Sequence, residues 1–298
     1  DTFFRVVCSM VSWSSRLWRA GAGRPVATAG TMLRRRCLVT VQSPPSMKRF
    51  YQEVFVEPVP TAEGCEGAAS SSSASPSSWR ILLDSRVLKT PMRRPLELLS
   101  LEVAEAVADE WRSQGEHIKP KEMPCTTIGC TTIDRVQHEE REASVARMMP
   151  FLQMDTICFE DDDGELAEQQ RREWGPVRSW FEQHFGVVLA TARGIGAPEH
   201  PEETLSSVSS ALSGRSAWEL CALEIAVSSA KSLIVGTALL ERADVTAEDA
   251  LRWALLEEQF QIERWGMVEG EHDVAHAEMR LWLEAAKRFG RGLAVGSK

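Results

Sequence analysis

Short apolar runs bounded by turn residues occupy the first part of the chain, and helical spacing takes over from about Glu139. Residues 49–59 (RFYQEVFVEPV) are rich in aromatic and β-branched side chains and predict a strand. Trp79–Leu83 and Val87–Thr90 predict two more, joined by a hairpin turn at Asp84-Ser85-Arg86 and ended by Pro91 and Pro95. Leu101–Gln114 reads as a helix: Ser100 is placed to cap it, Glu102 and Glu105 suit its positive end, and Gly115 stops it. Val103, Val107 and Trp111 form its apolar stripe, which makes Trp111 a core anchor. Thr126–Val136 leads into the next helix, although TTIGCTTIDRV alone would also suit a strand. Further helices are expected over Glu142–Phe151, Gly164–Gly186 with a kink or break at Pro176, Ala217–Glu241, Thr246–Gly266 and Val274–Phe289. Little strand is expected beyond Val187–Ala192. The fold class is therefore α+β, a mixed strand and helix domain over 47–138 followed by an all-α, orthogonal helical bundle over 139–298.

Thr246–Gly266 (TAEDALRWALLEEQFQIERWG) carries the most informative pattern. Thr246 and Asp249 have the spacing of a capping box, and Gly266 is a natural stop. Leu251, Leu255, Ile262 and Trp265 recur at helical spacing and predict a buried stripe. Glu258 falls on that stripe, while Glu257, Gln261 and Arg264 form a neighbouring polar row. A carboxylate on an apolar face must be paired, given to a partner or held at the rim in water, because burying it bare is costly. The spacing leaves those readings open.

Charge changes the picture at the N-terminus. Residues 1–50 carry nine Lys and Arg against Asp1, a balance of +8, which leaves −17 on the remainder of a chain of formal charge −9. Residues 1–46 interleave Arg and Ser with apolar residues and hold almost no acid, the composition of a mitochondrial transit peptide. Residues 61–78 are a Ser/Ala/Gly run and predict a flexible loop insertion. An acidic body repels phosphate backbones, which argues against nucleic-acid binding, and no run of about 20 apolar residues predicts a membrane span. The seven cysteines form no dense framework; Cys125 and Cys130 are the only close pair, and free thiols are expected.

Several motifs tempt and fail. Placing Gly164 at the sixth position of a calcium loop puts Phe159 first and Gln170 twelfth, which is no EF-hand. Ser228 and Lys231 match a Ser-x-x-Lys spacing, but Lys89-Thr90 is followed by Pro91 rather than Gly. His272 and His276 stand four apart without the zincin glutamate and are expected to face solvent. Gly194-Ile195-Gly196 lacks the third glycine of a dinucleotide loop. No catalytic, cofactor or metal residues are assigned.

Eight segments in order resemble one family, the assembly chaperones of the mitochondrial ATP synthase catalytic head. They are RFYQEV, LDSRVLKTP, AVADEWRSQGEHI, MPCTTIGCTTIDR, DTICF, Gln170 with Glu173-Trp174-Gly175-Pro176, Lys231-Ser232-Leu233, and LEEQFQIERWG. The chain departs from the pattern in its long Ser-rich insertion, in Ser85 where the turn often has Gly, and in Gly175 where Asp is frequent. The resemblance implies a matrix protein with no catalysis and no cofactor, whose partner is the free ATP synthase α subunit. The expected partner-binding residues are Glu257, Glu258, Gln261 and Trp265, with Trp111 a weaker candidate. The competing expectation is a stable structural subunit of a mitochondrial complex derived from such a chaperone.

Overall fold

The computed structural model describes residues 47–59, 78–162, 164–194, 196–266 and 272–296. The expected targeting segment, 1–46, and nearly all of the Ser-rich stretch lie outside the described residues. The sheet forms where the apolar runs predict it. Strand β2 (Val54–Pro58) pairs antiparallel with β3 (Trp79–Leu83) from Val54 opposite Leu83 to Pro58 opposite Trp79. Asp84 turns the chain at a φ of 55° into β4 (Arg86–Val87), and its Oδ1 accepts from the amides of Gln52 and Glu53. Strand β5 (Glu97–Leu98) adds to the start of β3. Two short pairs lie apart from this sheet. Strand β1 (Met47–Lys48) runs antiparallel to β6 (His117–Ile118), and β7 (Phe159–Glu160) runs parallel to β8 (Ala192–Arg193).

Helix α1 (Leu101–Arg112) lays Val103, Val107 and Trp111 on the sheet, with Ser100 as its cap. Trp111 is fully enclosed, and the Tyr51 hydroxyl donates to its carbonyl oxygen at 2.6 Å, so it is the core anchor expected from the stripe. Helix α2 (Pro124–Asp134) is buried along almost its whole length. Its threonines suit a helix here because Thr127 and Thr132 donate to the carbonyls of Met123 and Ile128, four residues back. Its open N-terminus is capped from α1, where the Glu110 carboxylate accepts from Cys125 N, Thr126 N and Thr126 Oγ1.

The helical part follows as α3 (Arg141–Gln153), α4 (Glu165–Phe185), α5 (Glu202–Ser213), α6 (Ala217–Ala230), α7 (Leu233–Glu241), α8 (Ala247–Ala254), α9 (Leu256–Trp265) and α10 (His272–Gly296). Three expectations need correction. Pro176 neither breaks nor ends α4: the helix runs on to Gly186, with Trp174 and Val177 on either side locked in the core. Ala217–Glu241 is two helices, because Lys231 adopts a left-handed φ of 54° and Ser232 caps the next helix by accepting from Val235 N. Thr246–Gly266 is also two helices, broken at Leu255.

One apolar core runs through the strand region and the bundle alike. Helix α6 lies at its centre, packed against α2, α3, α7 and α10. It is buried on almost every side, yet carries Glu224 with only 3% of its surface exposed. Arg147 of α3 grips both oxygens of that carboxylate, Nε to Oε1 at 3.2 Å and Nη2 to Oε2 at 3.1 Å. Arg135, at the end of α2, donates to Oε1 at 3.0 Å, and Glu139 takes up the far side of Arg147. Helix α10 closes the molecule by returning to α1, where a Cβ on Gly292 would sit 2.6 Å from Val103 Cγ2 and Arg288 donates to Asp109 at 2.6 Å. Among the described residues no helix is long and apolar enough to cross a membrane.

Two outcomes follow for stability. Glu224→Ala leaves Arg147 with Glu139 alone and empties the buried site between α2, α3 and α6, and urea unfolding is expected to lose about 1–3 kcal/mol. Gly236→Ala would set a Cβ 2.8 Å from Val227 Cγ2 and 2.9 Å from its backbone nitrogen, forcing α7 away from α6. The same measurement is expected to show a loss of about 1–3 kcal/mol despite the better helix propensity of alanine.

Candidate partner-binding face

The break at Leu255 decides which side chains α9 presents. Leu255 sits at φ −109° and ψ 11°, off the helical region. The indole of Trp174 on α4 donates to the carbonyl of Trp253 at 3.0 Å, taking up a backbone acceptor beside the break. Restarting the helix at Leu256 changes its rotation about its own axis. Leu256 and Phe260 become the buried side of α9, Ile262 is half-buried, and Trp265 stands 76% exposed. The predicted continuous stripe through Leu251, Leu255, Ile262 and Trp265 is therefore corrected: its first half is buried and its last member faces outward.

The other expected residues fall on or near the same outward side. Glu258 is half-buried, and its Oε1 lies 2.9 Å from Nε2 of His276 on α10. This corrects the expectation of a solvent-facing histidine pair, since His276 packs into the contact between α9 and α10. Gln261 is exposed. Glu257 is half-buried at the edge of a shallow recess of about 430 Å³, lined also by Thr156, Phe159, Asp161, Gln170 and Gly194. Burial pushes the Glu257 carboxyl above its usual range, a hydrogen bond from Gln170 pulls it back, and the neighbouring Asp161 pushes it up again. Trp111, the weaker candidate, lies in the core, where it cannot touch a partner without unfolding α1 from the sheet.

The recess is held from below by Asp155, which is fully buried. One carboxylate oxygen accepts from Ile157 N in the 3-10 turn Thr156–Cys158, and the other accepts from Ile234 N at the start of α7. The loop beyond is pinned at Glu160, which Arg178 and Arg193 both engage. Burial pushes the Glu160 carboxyl up, but the two guanidinium groups outweigh it and hold the group below its usual range. The set missed by sequence reasoning is thus Gln170 with this loop. Its signal was present: Gln170 occupies a position in the apolar series Ala167, Trp174, Val177, Phe181, where an amide is out of place.

The discarded motifs have other occupations. The Ser228 hydroxyl donates to Glu224 and Ile225 carbonyls of its own helix, and Lys231 is exposed at the helix end. Cys125 and Cys130 are buried free thiols in α2. Asp163 and Ile195 lie outside the described residues.

Comparison with known proteins matches residues 48–182 to the ATP12 chaperone protein family. The chain is 31% identical to Protein atp12, mitochondrial, of Schizosaccharomyces pombe, over 71% of this chain and 76% of that protein. It is 24% identical to Protein ATP12, mitochondrial, of Saccharomyces cerevisiae, over 68% of this chain and 76% of that protein. Among solved structures it resembles the Atu1473 protein of Agrobacterium tumefaciens, with a TM-score of 0.73 and 26% identity over 96% of this chain and 99% of that one. It also resembles Atp12 from Paracoccus denitrificans, with a TM-score of 0.69 and 26% identity over 82% and 97% of the two chains.

The buried Asp155 gives the loop a pH signature. Burial raises its carboxyl from 3.8 to about 6, against the hydrogen bonds from Ser232, Ile234, Ile157 and Leu233. A pKa raised in the folded state means the native protein holds the proton more tightly than the unfolded chain. The group's contribution to stability is therefore complete below about pH 3.8 and falls away as the pH rises through 6, by about 3 kcal/mol in all. Carbon-13 detection is expected to find the Asp155 carboxyl titrating near 6, and Asp155→Asn is expected to remove this component from the stability-against-pH curve.

Proposed function

Because the chain belongs to the ATP12 chaperone family of mitochondrial ATP synthase assembly factors, we propose that it binds the free α subunit of the catalytic head and prevents its aggregation before β arrives. The observation that carries this reading is Trp265, a large apolar side chain left exposed at the end of α9 beside Glu257, Glu258 and Gln261. An unassembled subunit displays surface meant for its neighbours, and such surface aggregates. A chaperone must cover that surface and later give it up. One aromatic anchor set among carboxylates suits that task, since the aromatic supplies affinity in a small area while the charged groups select the client.

The face is built to bind without reshaping itself. Its inner side is anchored through Leu256 and Phe260, and Glu258 is already held by His276. The strongly acidic body adds long-range attraction for basic client surface. The reaction class is binding and release, and the reading assigns no catalytic residue.

The test is capture by the tagged mature protein from mitochondria. Free α subunit without β is expected in the eluate. Trp265→Ala and Glu258→Ala are each expected to weaken capture by about tenfold while moving the thermal transition little, since each side chain reaches solvent. Recovery of intact ATP synthase at equal stoichiometry would instead identify a structural subunit, and a Glu258→Ala variant that unfolds would assign that carboxylate to the fold.

A further inference from the structure

Gln170 is only 2% exposed, lies on the core stripe of α4, and yet reaches the candidate face through both ends of its amide. Its Oε1 accepts from Asp161 N at 2.7 Å, and its Nε2 donates to Glu257 Oε1 at 2.9 Å. The two partners fix the orientation of the amide: a backbone N–H requires an acceptor and a carboxylate requires a donor, so the flipped amide would meet both wrongly. Of the common side chains of this length only glutamine offers one of each. Glutamate would set a carboxylate against Glu257, and methionine or leucine would satisfy neither partner.

We propose that Gln170 is the positioning residue of the client-binding face, fixing the Glu257 carboxylate on α9 and tying it to the loop that carries Asp161, so that helix and loop meet the client as one preformed surface. This rests on the reading of α9 as the client-binding side. The element that makes it necessary is α9 itself. The break at Leu255 detaches α9 from the helical ladder of α8, so something other than the helix backbone must set its distance from the loop. The Trp174 indole, one turn along α4 from Gln170, holds the end of α8, and the Gln170 amide holds the start of α9. Glu257 then loses little side-chain freedom on binding, and preorganisation of this kind appears as affinity.

A double-mutant cycle tests it, using Gln170→Met and Glu257→Gln in the full mature protein, with capture of purified ATP synthase α subunit as the readout. Methionine keeps the volume in an apolar stripe, and the released Asp161 amide and Glu257 carboxylate both reach water. Each single variant is expected to weaken capture about tenfold, and Gln170→Met is expected to cost less than about twofold more once Glu257 is already Gln. The Glu257 carboxyl, followed by carbon-13 titration without client, is expected to move upward in Gln170→Met, because the hydrogen bond that holds it down is gone. Losses that multiply to about a hundredfold, or a Glu257 titration that does not move, would overturn the proposal and leave Gln170 a residue of the core. If the titration moves but neither single variant alters capture, the positioning stands and the client-facing reading of Glu257 is what fails. Should the methionine variant not fold, Gln170→Glu keeps the acceptor for Asp161 N but sets a carboxylate against Glu257; it is expected to weaken capture about tenfold, and by less than about twofold more once Glu257→Gln offers that carboxylate a donor.

Discussion

A carboxylate placed at the middle of the central helix of the core, α6, sets the terms for much of this molecule. Glu224 cannot be left bare in a low-dielectric core, so the chain must deliver cations to it. It delivers two from different parts of the fold, Arg135 from the end of α2 and Arg147 from α3. Glu139 balances Arg147 from the connection between those helices. The arrangement restricts how α2, α3 and α6 can sit together far more sharply than apolar contact would, because a guanidinium that grips two carboxylate oxygens tolerates little sliding. Apolar packing supplies the driving force here, and the ionic cluster selects one arrangement among the many that would bury the same area.

The candidate face is positioned by the same logic on a smaller scale. Helix α4 carries a stripe that is apolar except where it must hold something polar at a distance. Trp174 spends its indole N–H on the end of α8, and Gln170 divides its amide between a loop and α9. Asp155 does the corresponding work under the loop, joining the 3-10 turn to the start of α7. The recess beside Glu257 is therefore defined by buried polar groups reaching outward rather than by the surface residues that line it.

This division explains what could be read from the chain alone. Strands, caps and the first helix were legible because they depend on neighbours in sequence: Ser100 accepts from Val103 N, and the Thr246–Asp249 box forms as its spacing implies. Helix α5 was overlooked although Glu202 and Glu203 open it and Val208 and Leu212 mark its buried side. The breaks at Lys231 and Leu255 were not legible, since lysine and leucine both favour helices and the groups that accompany the breaks are Ser232 and Trp174, the latter bonded to the carbonyl of Trp253 from 79 residues away. Missing the second break carried Trp265 to the wrong side of its helix. Glu258 was visible as a polar position on an apolar pattern, and Gln170 as an amide in an apolar series, whereas what Gln170 and His276 hold became apparent only from the contacts between α9 and its neighbours.

The return of α10 to α1 has a consequence for how the chain acquires its shape. Asp109 and Arg288 meet across 179 residues of sequence, and Gly292 lies against Val103 at a spacing that no larger side chain would permit. The sheet and α1 can assemble early from local pairings, but one flank of α1 and much of α6 stay uncovered until the last helix is present. A polypeptide emerging N-terminus first must therefore wait for α10 before this part of its core is sealed, and closing so large a loop is slow compared with forming any single helix. Until that moment the protein carries the same liability as an unassembled subunit, an apolar surface with its covering segment still to come.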